Sequence, residues 1–211
     1  MTRNKSITVK TLHSMLKLNI VCFHTNNQVV LQYVNDNPYE ISTAVNKLIK
    51  DVDRLCFFNY SVFLDEDSIK KLFEKFPGGY NGIVFPAVKE GINWNMFKEK
   101  IINGSQETVS QMGLEFDTEV DRPINDDLWS VKSTNPKVWV VDTKSAIKVL
   151  RGKKGEGVSF PLRHEDFFNK IKICAFVKAK VVITYTHECI SNILQSSGVS
   201  QRNEAIPIEG K

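Results

Sequence analysis

Residues 53–76 read DRLCFFNYSVFLDEDSIKKLFEKF, and this stretch decides the predicted fold. The short apolar run at 55–58 is bounded by polar residues, which is typical of a buried strand in a parallel sheet. The next apolar residues recur at helical spacing after Asp65 and Asp67, either of which suits the N-cap of a helix. Ligands of open α/β sheets lie outside the carboxyl ends of the strands. The stretch therefore predicts a strand, a ligand-facing turn at 59–67 and a helix.

Strand and helix patterns alternate along most of the chain. Further strands are predicted at residues 18–23, 81–86, 138–141 and 180–185, and helices at residues 39–51, 94–102, 145–150 and 167–177. Residues 103–136 lack a regular pattern, and a loop of that length is usually functional or mobile. The alternation predicts an α/β fold with a mainly parallel sheet of about six to eight strands, flanked by helices.

One domain accounts for this pattern. It covers residues 18–195, after a lead-in at 1–17 and before a polar tail or linker at 196–211. The polar ending is compatible with further domains after Lys211.

Composition excludes several classes of protein. The net charge of +4 over 211 residues is too small, and the lysines too scattered, to indicate a nucleic-acid partner. No apolar run reaches the roughly 18 residues that a membrane span needs, and the N-terminus lacks the pattern of a signal peptide. The four cysteines are far apart and lie in apolar contexts, which indicates buried thiols in a reducing compartment. We therefore expect a cytosolic protein.

Residue chemistry alone gives four candidate sites, each with a structural alternative. Asp65 and Asp67 could ligate Mg²⁺ or Mn²⁺, or simply cap the next helix. His187, after the last predicted strand, could complete a metal site or lie in solvent. Lys153, in a glycine-rich loop, could contact phosphate or belong to a surface turn. The pair at 165–166 could supply a general base or an acidic N-cap.

Four phrases, YNGIVFPAV, GLEFDTEV, KVWVVDTKSAIKVL and LRHEDFF, carry a resemblance that covers about residues 18–192. Their order resembles that of nucleotide-sugar glycosyltransferases with the GT-A fold, and especially the small domains encoded by large DNA viruses such as chlorella viruses. The resemblance implies a Rossmann-like GT-A sheet and a divalent cofactor, Mn²⁺ or Mg²⁺. It also implies two partners, a nucleotide-sugar donor and a glycan acceptor, and the host cytoplasm as the location of a viral member.

The resemblance also implies roles for particular residues. Thr25, Asn26 and Asn27 occupy the position where such enzymes hold the nucleoside. Asp166, or Glu165 beside it, occupies the position of the base that deprotonates the acceptor in inverting members. His187 occupies the position where many members have a late metal- or phosphate-contacting histidine. Apart from the resemblance, the negative charge that grows on a leaving diphosphate needs cationic stabilisation, which Lys153 of the 151–157 loop could supply. Asp117, in the acidic 115–121 loop, could hydrogen-bond sugar hydroxyls of the donor or the acceptor.

The metal motif has two possible placements. By its sequence, the Asp-x-Asp motif of the family corresponds to Asp65 and Asp67. By distance from the neighbouring strand and helix it corresponds to Asn59 and Ser61, with both carboxylates replaced. Both placements remain open at this point, so the sequence leaves the cofactor undecided.

These expectations lead to one main function and one alternative. The chain is expected to transfer a hexose or deoxyhexose from a nucleoside-diphosphate sugar, most simply a uridine-linked one, to a glycan hydroxyl with inversion. The alternative is a catalytically degenerate GT-A domain that binds nucleotide or carbohydrate without turnover. A nucleotidyltransferase is disfavoured, because it would need a glycine- and lysine-rich signature where residues 24–27 read HTNN.

Overall fold

The structure is a computed structural model that describes residues 6–89, 91–107, 109, 111–151 and 157–177. Its helices are α1 (Val9–His24), α2 (Pro38–Leu48), α3 (Glu66–Lys71), α4 (Trp94–Ile102), α5 (Thr143–Leu150) and α6 (His164–Phe168). Its strands are β1 (Arg54–Phe58), β2 (Gly82–Val84), β3 (Thr118–Pro123), β4 (Leu128–Thr134), β5 (Val138–Asp142) and β6 (Cys174–Phe176). Most predicted elements are confirmed: β1, β2, β5, α2, α3, α4 and α5.

The strands form a six-stranded mixed sheet in the order β1-β5-β2-β6-β4-β3. Among the described strands, the parallel pairing is β2 with β6, and the other four pairings are antiparallel. The α/β class is therefore confirmed, but the prediction of a mainly parallel sheet is wrong. Strand β5, between β1 and β2, runs opposite to both of its neighbours. Its continuous apolar run indicates that both faces of the strand are buried. Burial on both faces does not reveal whether the strand runs parallel or antiparallel to its neighbours.

Helices cover both faces of the sheet. On one face, Leu18 and Cys22 of α1 and Ile69 of α3 pack against alternate strand residues such as Val138 and Val140. On the other face, α2, α5 and α6 pack against the intervening residues of the same strands, including Trp139 and Val141. The period-two alternation of the strands therefore divides the core into two layers.

Helix α1 replaces the predicted strand at 18–23 and also covers residues 9–17, a part of the lead-in where the sequence allows a short helix. Thr8 caps the helix by accepting a hydrogen bond from the Thr11 N–H at 3.2 Å. The face of α1 that meets the core includes Thr11 and Ser14, whose hydroxyls donate to the carbonyls of Val62 (2.7 Å) and Leu64 (3.2 Å). Because α1 buries two hydroxyl residues together with Leu18 and Cys22 while other apolar residues are exposed, it lacks a clear amphipathic pattern, which explains the wrong prediction.

Two further predictions about secondary structure are wrong. The expected loop at 103–136 contains the β3–β4 hairpin. The expected helix at 167–177 is instead the short α6 followed by β6. The predicted strand at 180–185 and the tail at 196–211 lie outside the described residues. No helix among the described residues combines the length and the apolarity that crossing a membrane requires.

Gly82 allows β2 to pack closely against β5. A Cβ atom at this position would lie 2.6 Å from the Val140 carbonyl oxygen and 2.7 Å from Cγ1 of Val141. Because backbone and a buried β-branched side chain cannot move easily, we expect Gly82→Ala to lower the free energy of unfolding by about 1.5 kcal/mol. Urea denaturation followed by circular dichroism measures this change. Gly78→Ala is the matched control, since its Cβ would meet no atom within 4 Å; equal stability of the two variants would contradict the prediction.

Candidate functional site

A polar cleft of about 610 Å³ lies between the β3–β4 hairpin, the start of β5 and helix α6. Two residues predicted from the sequence, Asp117 and Glu165, both line it. The remaining lining residues are hydroxyl-bearing, amide-bearing or cationic: Ser133, Thr134, Asn135, Asn169, Lys89 and Lys137. Such a set can hydrogen-bond a hydroxylated ligand from several directions.

Asp117 joins three chain segments at the floor of this cleft. Its carboxylate accepts hydrogen bonds from the Ala87 N–H (3.0 Å), the Thr118 hydroxyl (2.8 Å) and the Lys137 N–H (3.3 Å). The side chain is buried, and burial raises the pKa of Asp117 to about 6, although these donors and the Lys137 charge oppose the shift. Asp117 therefore fixes the geometry where β2 ends and β5 begins.

Helix α6 presents the two carboxylates at 165–166 differently. Glu165 is exposed and lines the cleft. Asp166 instead accepts two hydrogen bonds from the Arg163 guanidinium, at 3.0 Å from Nε and 2.9 Å from Nη2. Since this bidentate pair occupies both oxygens of Asp166, Glu165 is better placed to accept a proton from a ligand.

An aromatic anchor holds α6 in position. The His164 ring packs edge-on against Phe57 (4.8 Å between centroids), Phe160 (5.6 Å) and Trp139 (5.9 Å). This burial lowers the pKa of His164 to about 4, so the imidazole is neutral at physiological pH. His164 therefore supports the helix next to Glu165.

A second cavity of about 320 Å³ adjoins the cleft and shares Ser133, Thr134 and Asn169 with it. Its lining includes three cations and one carboxylate: Arg122, Lys132, Lys172 and Asp121. Lys132 also contacts Glu119 (2.6 Å), and the Lys172 ammonium lies 4.7 Å from the centroid of the Tyr80 ring. The cationic excess of the lining favours an anionic ligand in this cavity.

Thr25, Asn26 and Asn27 lie away from both cavities, at the C-terminal end of α1. The Thr25 hydroxyl donates to the Val21 carbonyl (2.8 Å), and the Asn27 amide donates to the Thr25 hydroxyl (2.8 Å). Eleven residues of helix, about 16 Å at 1.5 Å per residue, separate Thr25 from Ser14, which contacts the turn after β1. These side chains terminate a helix, and the structure does not bring them to residues 59–67.

Asn59 and Ser61 follow β1, as predicted, but their side chains bond to each other. The Asn59 side-chain oxygen accepts from the Ser61 N–H and hydroxyl, both at 3.2 Å. The Asn59 backbone N–H donates to the Lys137 carbonyl at 2.9 Å, so this turn adjoins the edge of the cleft without lining it.

Asp65 and Asp67, the two predicted metal ligands among the described residues, make other contacts. Asp65 caps α3 by accepting from the Ser68 N–H at 2.9 Å, and Asp67 lies 3.5 Å from the Lys70 ammonium. Within the described residues, no group of three or more histidine, cysteine, aspartate or glutamate side chains could hold a metal ion. The capping role left open by the sequence is therefore the one observed for Asp65. His187 and Lys153 lie outside the described residues.

Several residues of the two cavities were not predicted, above all Lys89, Lys137 and Asn169. A signal existed for the β3–β4 hairpin that carries many of the others, since Asn125, Asp126 and Asp127 form a polar turn between two strand-like runs. Recognising that turn would have placed residues 130–134 opposite 118–122.

The fold and cavities define an α/β protein with a mixed sheet and two adjoining polar cavities. Comparison with protein-family models, with curated proteins and with solved structures found no match.

Proposed function

We propose that the two adjoining cavities are the site of glycosyl transfer from a nucleoside-diphosphate sugar to a glycan hydroxyl. The main support is that one cleft is lined both by Asp117, expected to hydrogen-bond sugar hydroxyls, and by Glu165, which with Asp166 corresponds to the position of the family's base. The cationic cavity beside it suits a diphosphate. A transferase must hold two substrates side by side, and two cavities with three shared residues satisfy that need.

The proposed reaction uses residues of this chain alone. Glu165 accepts the proton of the acceptor hydroxyl, and the acceptor oxygen forms a bond to the anomeric carbon of the donor. The bond between that carbon and the diphosphate oxygen breaks, and the diphosphate leaves with the electron pair. Arg122 and Lys172 stabilise the developing negative charge by electrostatic attraction. Attack from the face opposite the leaving group inverts the anomeric centre.

Divalent-metal assistance has no support from the described residues. Of the three expected ligands, Asp65 caps α3 and Asp67 is an exposed carboxylate beside Lys70. The third, His187, lies outside the described residues. The proposed reaction therefore assigns no step to a metal ion.

Glu165→Gln tests the proposed base. We expect the variant to lower kcat/KM for glycosyl transfer by about a hundredfold, because a general base contributes roughly 10²–10⁴ to rate. Donor affinity should be unchanged, since Glu165 acts on the acceptor. The measurements are release of nucleoside diphosphate from a panel of nucleotide sugars, with Mn²⁺ or with chelator, and calorimetric binding of the same donors.

Asp166→Asn is the matched control, because it changes the neighbouring carboxylate that Arg163 holds. This variant should keep most of its activity. A loss in Asp166→Asn that equals the loss in Glu165→Gln would assign the effect to helix α6 as a whole, and would contradict the role of Glu165.

A second candidate function is nucleotide or carbohydrate binding without turnover. The observation that favours it is that Asn59 and Ser61 bond to each other after β1, which by distance from the strand is one of the two possible placements of the family's metal motif. Saturable donor binding with no product from any acceptor would favour this candidate. No binding of any nucleotide sugar would exclude both functions.

A further inference from the structure

One residue on the rim shared by the two cavities is tied to a buried carboxylate through a chain of hydroxyl groups. Thr134 lines both cavities and lies opposite Thr118 in the register of β3 and β4. Their hydroxyl oxygens are 2.8 Å apart, and the Thr118 hydroxyl also lies 2.8 Å from an oxygen of Asp117. Thr118 is 3% exposed and lines neither of these cavities, so it connects Asp117 with Thr134 through the interior.

The direction of each proton in this chain follows from the carboxylate at its end. An ionised carboxylate accepts hydrogen bonds and donates none, and a threonine hydroxyl has one proton to give. The pKa of Asp117 is about 6, so the carboxyl is mainly ionised at neutral pH, and it accepts from two backbone N–H groups as well as from Thr118. Because Thr118 gives its only proton to Asp117, the proton between the two threonines must come from Thr134.

The Thr134 oxygen therefore faces the cavities only as a hydrogen-bond acceptor. A ligand group satisfies it by donating a proton, which a hydroxyl group does and an ionised phosphate or a fluorine does not. Asn169, at the C-terminal end of α6, lies on the same shared rim, and its amide offers both donors and an acceptor. Together these two side chains match a sugar hydroxyl.

We propose that Thr134 selects the sugar of the donor by accepting a hydrogen bond from one of its hydroxyl groups, and that Thr118 is the positioning residue that keeps Thr134 an acceptor. This inference rests on the function proposed for the two cavities, and it adds the class of sugar, which carries a free hydroxyl where it meets the rim. The diphosphate then lies away from Thr134, among the cationic side chains of the smaller cavity. A sugar without that hydroxyl leaves the Thr134 oxygen unpaired and binds more weakly.

Calorimetric binding to the full chain tests the proposal. The probes are UDP-glucose, UDP-galactose and GDP-mannose, each compared with the analogues in which one sugar hydroxyl is replaced by fluorine. For a parent donor that binds wild type, we expect one analogue to bind about tenfold more weakly, because it leaves its partner oxygen unpaired. Thr134→Val keeps the shape of the side chain and removes the acceptor, so that analogue and its parent should then bind within about twofold of each other.

Thr118→Val tests the hydroxyl chain without changing a residue that lines the cavities. The Thr134 hydroxyl is then free to rotate and to donate, so the preference for the parent over that analogue should fall to about threefold or less, while the parent still binds. Thr118→Ser should restore the wild-type preference, because serine also has one proton and two lone pairs. The matched control is Thr43→Val, which removes a hydroxyl that donates to the Tyr39 carbonyl on α2 and should leave the preference unchanged.

The possible outcomes separate this inference from the proposed function, once circular dichroism has verified the fold of every variant. Donor binding with no preference in wild type, or with an undiminished preference in Thr134→Val, would overturn this inference and leave the proposed function standing. No binding of any nucleotide sugar would overturn both. A preference that is lost in Thr134→Val but kept in Thr118→Val would overturn the role of Thr118.

Discussion

Replacing Trp139 by alanine should lower the free energy of unfolding by about 4 kcal/mol, because large aromatic side chains in cores typically contribute 3–5 kcal/mol. Trp139 is fully buried on β5, between β1 and β2. Its ring stacks on Phe57 (5.4 Å) and Phe160 (6.1 Å) and meets Phe168 edge-on (5.6 Å). The cavity left by alanine would remove contacts on several sides at once, since interiors of this density relax only in part.

Trp139→Phe separates the loss of volume from the loss of polarity. The indole N–H of Trp139 is buried and has no hydrogen-bond partner among the described residues. Phenylalanine keeps a stacking ring and removes that unsatisfied donor, so we expect a cost below about 1.5 kcal/mol. Trp94→Ala, on the exposed surface of α4, should change stability by less than about 0.5 kcal/mol. Urea unfolding followed by circular dichroism measures all three, and an alanine variant as stable as the phenylalanine variant would refute the argument.

Trp139 also shows what the sequence could predict. The run VWVV at 138–141 indicates a buried strand, and the structure confirms it. The same run could not reveal that β5 lies between β1 and β2 and runs opposite to both. Strand direction depends on how distant segments pair, and a stretch buried on both faces reads the same in either direction.

The prediction for the segment that forms helix α1 was wrong for a different reason. Its buried face includes Thr11 and Ser14, whose hydroxyls are satisfied by carbonyls about 50 residues away in sequence. A local reading of hydrophobicity assigns such residues to the surface, and it assigns the exposed Leu16 and Ile20 to the core. Long-range hydrogen bonds are not visible in one sequence, so the helical period of this segment was hidden and residues 18–23 were predicted to be a strand.

The sequence predicted some of the residue types that line the candidate site, but only part of the way the fold brings them together. Asp117 and Glu165 were selected for their residue type and for the resemblance, and they line one cleft. The hairpin brings Ser133 and Thr134 to the same cleft, but the irregular β3–β4 pairing and Pro123 obscured its alternation. Lys137 lies there because Asp117 accepts its N–H, which is a contact across 20 residues.

Asp117 should make the stability of this protein depend on pH between about pH 4 and pH 7. Its carboxyl has a pKa of about 6 in the folded chain, mainly because it is buried. An aspartate in an unfolded chain titrates near 3.9. The folded state therefore binds the proton more tightly, and the resulting stabilisation is fully present below about pH 4 and is lost as the pH rises through about 6. Two pKa units correspond to about 3 kcal/mol in full.

Asp117→Asn isolates this contribution because its amide does not titrate. We expect the difference in the free energy of unfolding, wild type minus variant, to rise by about 2 kcal/mol as the pH falls from about 7 to 4. In the variant the amide –NH₂ faces backbone N–H donors that contact the carboxylate in wild type, and this destabilises the variant by an amount that does not depend on pH. The test is therefore how the stability difference changes with pH, not its size at one pH. Asp126→Asn, at an exposed position of the hairpin turn, should run parallel to wild type over this range. If the free energies of unfolding of wild type and Asp117→Asn change in parallel with pH, the pKa of Asp117 is the same in the folded and unfolded chains. That result would contradict the prediction, and it would mean that water reaches the carboxylate despite its contacts with Ala87, Thr118 and Lys137.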